Sequence, residues 1–174
     1  MYDGFRHFLF IVPPLFVLAG IALEVAFEWL KHSWLKIALV IILLFPGLWA
    51  DVYLHPYQYT YYNQFVGGTG KAAYSYETDF WLTCYKDAVQ ELLPYLNEPT
   101  TNLYVNRESY IADYYAPQEI NVIDARKRGN QIAEGDYILM HSRANPSLQR
   151  FRDPSQAVLR VERDGAIFCV TQKR

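Results

Sequence analysis

The chain has 174 residues, 52% of them hydrophobic, 17% aromatic and 20% charged, which excludes a disordered chain, while two cysteines are too few for a disulfide scaffold. Its 16 Lys and Arg against 18 Asp and Glu leave a net charge of -2, so no basic excess exists to neutralise phosphates and no nucleic-acid partner is expected. A mean hydropathy near zero conceals two materials: residues 1–54 carry only Asp3, Arg6, Glu24, Glu28, Lys31, Lys36 and Asp51, and the rest of the charge lies in residues 55–174.

The first element runs from Phe8 to Leu23 without a charge and extends to Leu30 with only Glu24 and Glu28 interrupting it. A helix of that length, rising about 1.5 Å per residue, crosses the roughly 30 Å hydrocarbon core of a bilayer. The second run, Ile37 to Ala50, needs Trp34, Leu35, Val52, Tyr53 and Leu54 at its ends to do the same. Both are apolar nearly all round, which favours membrane-spanning helices over a buried hairpin in a soluble protein. A signal peptide fits poorly, because one Arg beside an Asp precedes the first run and no small-residue cleavage site separates it from the second. Pro13-Pro14 and Pro46-Gly47 are expected to kink or break these helices. Between the runs, Lys31, His32 and Lys36 form a positive cluster flanked by Trp29 and Trp34, where an aromatic belt would sit. By the positive-inside rule this loop is cytoplasmic, which puts residues 1–7 and everything after Asp51 on the outer face.

Residues 53–85 hold eight of the fifteen tyrosines, together with Phe65, Phe80, Trp81 and the string Gly67-Gly68-Thr69-Gly70. Periodicity assigns neither strand nor helix here. Tyrosines just after a membrane helix serve as interfacial anchors; the alternative is a lining for sugar or lipid, because phenol rings offer flat apolar faces and a polar tip. The glycines and Lys71 lack the spacing of a P-loop.

Tyr85 to Asn97 places Ala88, Val89, Leu92, Leu93 and Leu96 on one side of an amphipathic helix, with Thr83 as N-cap and a bend at Pro94. Strands are predicted at 101–106, 120–124 and 136–142, with a short helix at 108–116 and a helical or irregular stretch from Arg126 to Ala133. This alternation argues for a small parallel α/β unit. Residues 157–163 and 166–172 flank Asp164-Gly165 and predict a closing β-hairpin.

No catalytic constellation stands out. His7, His32, His55 and His141 are scattered, and no CxxC, HxxxH or GxSxG string occurs, so neither a metal nor a cofactor is expected. Cys84 and Cys169 fall on the proposed outer side, where a disulfide survives, but their apolar contexts favour free buried thiols. His141, after a strand, reads as a polar strand-end residue, the alternative being that it faces a cleft.

Three strings occur together: Tyr2-Asp3-Gly4-Phe5-Arg6-His7 before a Phe-rich helix with Pro13-Pro14; His55-Pro56-Tyr57-Gln58-Tyr59-Thr60-Tyr61-Tyr62-Asn63 with Val66-Gly67-Gly68; and Tyr76-Glu77-Thr78-Asp79-Phe80-Trp81 with Tyr85-Lys86. They resemble the C-terminal part of bacterial polytopic glycosyltransferases of the GT-C class, the dolichyl-phosphate-mannose protein mannosyltransferase-like and aminoarabinose-transferase-like superfamily. The likeness covers nearly the whole chain in layout and is specific in these strings; the last hundred residues match in general form. It implies a polyprenyl-phosphate-linked sugar as donor, an active site on the outer side, and last membrane helices that lead into an extracytoplasmic domain. Members carry many membrane helices, and the acidic residue expected to act as base lies in an early outer loop that this chain does not contain. The resemblance therefore implies an upstream transmembrane portion as partner and no transfer by this chain alone.

Within the resemblance, Arg6 and His7 would hold the lipid phosphate by charge-assisted hydrogen bonds, the alternative for Arg6 being snorkelling or pairing with Asp3. Glu77 and Asp79 would orient sugar hydroxyls, or else form a solvated turn or a cap on the helix starting near Thr83. His55 would polarise a substrate group or cap the helix exit. Tyr2, Asp3, Tyr57, Tyr61, Tyr62, Asn63 and Trp81 complete the sugar- or acceptor-facing set. The expected layout is α/β with membrane helices: a transmembrane hairpin in residues 1–54 (helices about 8–30 and 34–54), an aromatic-rich extracytoplasmic connector in 55–82, and a small extracytoplasmic α/β domain in 83–174 that ends in a β-hairpin. Expected partners are membrane lipid and the polyprenyl-phosphate sugar. The rival reading is a non-enzymatic, membrane-anchored α/β module that binds or supports a partner.

Overall fold

A computed structural model describes residues 9–96, 102–128, 131–143 and 157–174. The chain divides into two compact units, Met1–Trp49 and Ala50–Arg174.

Helix α1, Val12–Trp29, opens with its two prolines in the first turn. There an N–H has no intrahelical acceptor and the fixed proline φ suits the helix, so Pro13-Pro14 starts α1 rather than breaking it. Helix α2, Ser33–Tyr53, continues through Pro46, so of the expected kink or break the break does not occur. Its missing N–H removes one rung of the ladder without ending the helix. Two helices, over Leu9–Trp29 and Ser33–Tyr53, are thus long and apolar enough to cross a membrane. Their apolar side chains are exposed almost throughout: α1 buries no residue and α2 only Ala50. A core helix of a soluble protein buries its apolar face, and these do not. Trp29 and Trp34 stand exposed at the connector, and the Lys36 ammonium lies 5.9 Å from the Phe27 ring centroid.

The second unit is built on a five-stranded mixed sheet of order β2-β1-β3-β5-β4. Strands β1 (Asn102–Val105), β2 (Asn121–Asp124) and β3 (Tyr137–His141) pair in parallel, as the alternation of strand and helix predicts. Strands β4 (Leu159–Arg163) and β5 (Ala166–Lys173) add the antiparallel half. Their turn is Asp164-Gly165, at φ 53° and 76°, the left-handed geometry that such hairpins need. β5 lies between two strands and is buried from Ala166 to Thr171, whereas β3 alternates buried and half-buried residues.

Two further short helices, α3 (Gly68–Ala72) and α6 (Ala125–Arg128), and the longer α4 (Cys84–Leu92) and α5 (Ser109–Tyr115) complete the unit. α4 buries Cys84, Tyr85, Ala88, Val89 and Leu92 against Leu103, Val105, Leu139 and Phe168 of the sheet. It passes into a 3-10 turn at Leu93–Tyr95, where Pro94 replaces the expected bend by a change of helix type.

Residues 55–82 belong to this second unit. Their glycines explain the absence of regular periodicity. Gly67 and Gly68 have φ of 90° and 73°, and the Cα of Gly70 packs so closely on the Asp164 backbone that a Cβ would collide with it. The Gly-rich string is a packing seam between α3 and the hairpin turn.

Candidate functional site

Asp79 organises the region. Its carboxylate is buried and accepts the backbone N–H groups of Thr83 and Cys84 at 3.0 and 2.9 Å, together with the Tyr59 hydroxyl. Thr83 occupies the N-cap position of α4 but makes no side-chain cap bond; Asp79 supplies the cap from four residues upstream. The fourth partner is His141, at the end of β3, whose Nε2 lies 3.4 Å from Asp79 Oδ2. The Arg143 backbone N–H donates to His141 Nδ1 at 3.0 Å, which makes Nδ1 the acceptor and Nε2 the nitrogen that faces Asp79 as donor. Tyr85 closes the cluster edge-on against the imidazole, and its hydroxyl donates to the Arg107 carbonyl at 2.6 Å. Burial is the main cause that pushes the Tyr85 phenol well above the ordinary tyrosine range.

Cys84 and Cys169 form a disulfide, with Cα atoms 5.9 Å apart, which overturns the expectation of free thiols. The apolar context is real, since both residues are fully buried. What sequence could not give is the approach of α4 to the middle of β5 across 85 residues. Ligand atoms of Cys84, His141 and Cys169 gather within 4.8 Å, but both sulfurs are spent on each other.

Beside this buried network opens a cleft of about 140 Å³, lined by residues 73–78, Ser142 and Arg143. It lies outside the carboxyl end of β3, where open α/β sheets commonly receive ligands. Glu77 and Arg143 approach to 3.5 Å, and both are partly open to solvent. The Arg143 guanidinium stacks 3.7 Å from the Phe80 ring centroid and donates to the Phe80 carbonyl at 3.2 Å. Tyr62 stacks on Tyr76 with centroids 5.6 Å apart and donates to the Glu77 carbonyl at 3.1 Å. Burial raises the Tyr62 pKa, and the neighbouring Tyr76 and Glu77 add to the rise.

The other sequence-selected residues are dispersed. Tyr57 is fully buried against Phe168 and donates to Asp87 at 2.6 Å; burial, then this bond, drives its pKa far above the ordinary range. Asn63 accepts from Phe65 N and Val66 N at 3.1 and 3.3 Å and caps a 3-10 turn. His55 is exposed, precedes Pro56 through a cis peptide bond, and its Nδ1 meets the Gln58 amide at 2.9 Å. Tyr61 and Trp81 are exposed, the latter edge-on to Phe80. Tyr2, Asp3, Arg6 and His7 lie outside the described residues.

Of the sequence-selected residues the structure thus places Glu77 on the cleft, sets Tyr62 behind it against Tyr76, and turns Asp79 inward. Sequence reading missed Arg143 and Ser142. The available signal was their place directly after a parallel strand. Neither family models, nor curated proteins, nor solved structures yield a match to this chain.

Proposed function

We propose that this chain is the C-terminal membrane hairpin and extracytoplasmic α/β domain of a GT-C-class glycosyltransferase, which passes a sugar from a polyprenyl-phosphate carrier to an acceptor on the outer side. The observation that carries it is the cleft beside β3. Tyrosine faces, a carboxylate and guanidinium 3.5 Å apart, and the hydroxyl residues Ser75, Thr78 and Ser142 are the groups that bind pyranose C–H faces and hydroxyls. The buried disulfide supports the outer location, because such bonds persist in oxidising compartments, and it agrees with the lysine-bearing connector. In this reading the cleft recognises sugar or acceptor, Arg6 and His7 hold the lipid phosphate, and the base comes from an upstream membrane portion.

The test compares membranes in which the gene for this chain is intact, disrupted, or restored with Arg143→Ala. Transfer of labelled sugar from a polyprenyl-phosphate carrier should vanish on disruption, and the Arg143 variant should restore it only weakly. Equal transfer with and without the gene overturns the reading and leaves the anchored binding module.

A further inference from the structure

We infer that the turn at Phe65-Val66 inserts into the interfacial region of the membrane and so seats the α/β unit on the lipid surface, an inference that rests on the reading of α2 as a membrane helix. Phe65 is completely exposed and Val66 nearly half so. They are not on a loose loop. Asn63 accepts both of their backbone N–H groups, Gly67 N donates to the Gln64 carbonyl at 3.0 Å, and Gly68 N donates to the Asn63 carbonyl at 3.1 Å. The following helix α3 is fixed in turn, with the Thr69 hydroxyl on the Thr60 carbonyl at 3.1 Å and Gly70 N on the Asp164 carboxylate at 3.4 Å. The backbone that carries this exposed apolar pair is therefore fixed by its own hydrogen bonds.

The occupant follows from chemistry and reach. Phe65 comes twelve residues after α2 ends at Tyr53, so even a fully extended chain keeps it within about 40 Å of the helix exit. From Leu54 to Tyr76 there is no acidic residue, and the one lysine, Lys71, lays its methylene stem against Gly67 beside the turn. Aromatic tip, aliphatic neighbour and snorkelling cation are the combination that settles at an anionic lipid interface.

The test uses the full chain in phosphatidylcholine–phosphatidylglycerol vesicles. Because Cys84 and Cys169 are bonded to each other and buried, a single thiol introduced by Phe65→Cys takes an environment-sensitive fluorophore selectively. Nitroxide-bearing lipids should quench that label severalfold more than one placed by Tyr114→Cys on exposed α5. Quenching no greater than at position 114 overturns the inference, and so does a blue-shifted but unquenched label, which would mean that protein covers the turn. A third label, by Leu43→Cys in α2, separates the failures. Quenching at 43 without quenching at 65 defeats this inference alone, whereas none at 43 defeats the membrane reading as well.

Discussion

Asp79 shows how one side chain joins three parts of the chain. Its two oxygens tie the aromatic segment, the first turn of α4 and the end of β3 through Tyr59, the Thr83 and Cys84 amides, and His141. Removing it leaves buried donors without an acceptor, which costs more than the bonds contribute on net. Asp79→Ala should destabilise the second unit by about 2–3 kcal/mol, the sum expected of a lost helix cap and an orphaned buried donor. Chemical unfolding of the detergent-solubilised chain measures this, and an unchanged midpoint would show that water replaces the carboxylate without cost. The capping role was legible from Asp79 standing just ahead of an amphipathic run. Its bond to His141 was not, since 62 residues separate the two and no local pattern encodes that meeting.

Among the elements, the antiparallel hairpin and α3 depend on each other. The Asp164 turn needs left-handed backbone, and α3 needs a residue without a side chain where it touches that turn. Gly70→Ala should therefore cost about 1–3 kcal/mol through overpacking, as a core insertion does. Gly20→Ala in α1 meets open space and should be neutral or slightly stabilising, in line with helix propensity. Thermal melts of the two variants side by side decide it; an equal effect at both sites would mean that the seam yields freely. The hairpin was readable because Asp-Gly between two alternating runs is a local signal. The Gly-rich string was opaque because its reason is a tertiary contact 94 residues away. The prolines misled for the opposite cause: their effect depends on position within a turn, and Pro13-Pro14 falls where no N–H is missed.

At the scale of the whole molecule, two long apolar helices and a disulfide-bonded α/β unit share one chain. The Cys84–Cys169 bond closes a loop of 85 residues, and the loop entropy it removes from the unfolded unit corresponds to about 4.6 kcal/mol. Cys84→Ser should lower stability by about that amount, within the range of about 2–5 kcal/mol for native disulfides. Denaturant titrations of variant and parent, both in detergent, give the difference; identical midpoints would mean that the bond adds nothing to the packing of α4 on β5. Architecture was largely legible here, since composition separated the two materials and alternation gave the parallel strands. The cleft was not, because Glu77 and Arg143 meet only once β3 lies beside the aromatic segment.

The pairing of Cys84 with Cys169 also bears on how the chain matures. These 174 residues contain two cysteines, and the bridge joins them to each other. Its second half sits in β5, which joins the sheet after β1, β2 and β3 have all left the ribosome. Cys84 therefore waits without its partner while the next 85 residues are made. Maturation then requires an oxidant, and until Cys169 is made the Cys84 thiol is open to cross-linking with neighbouring molecules.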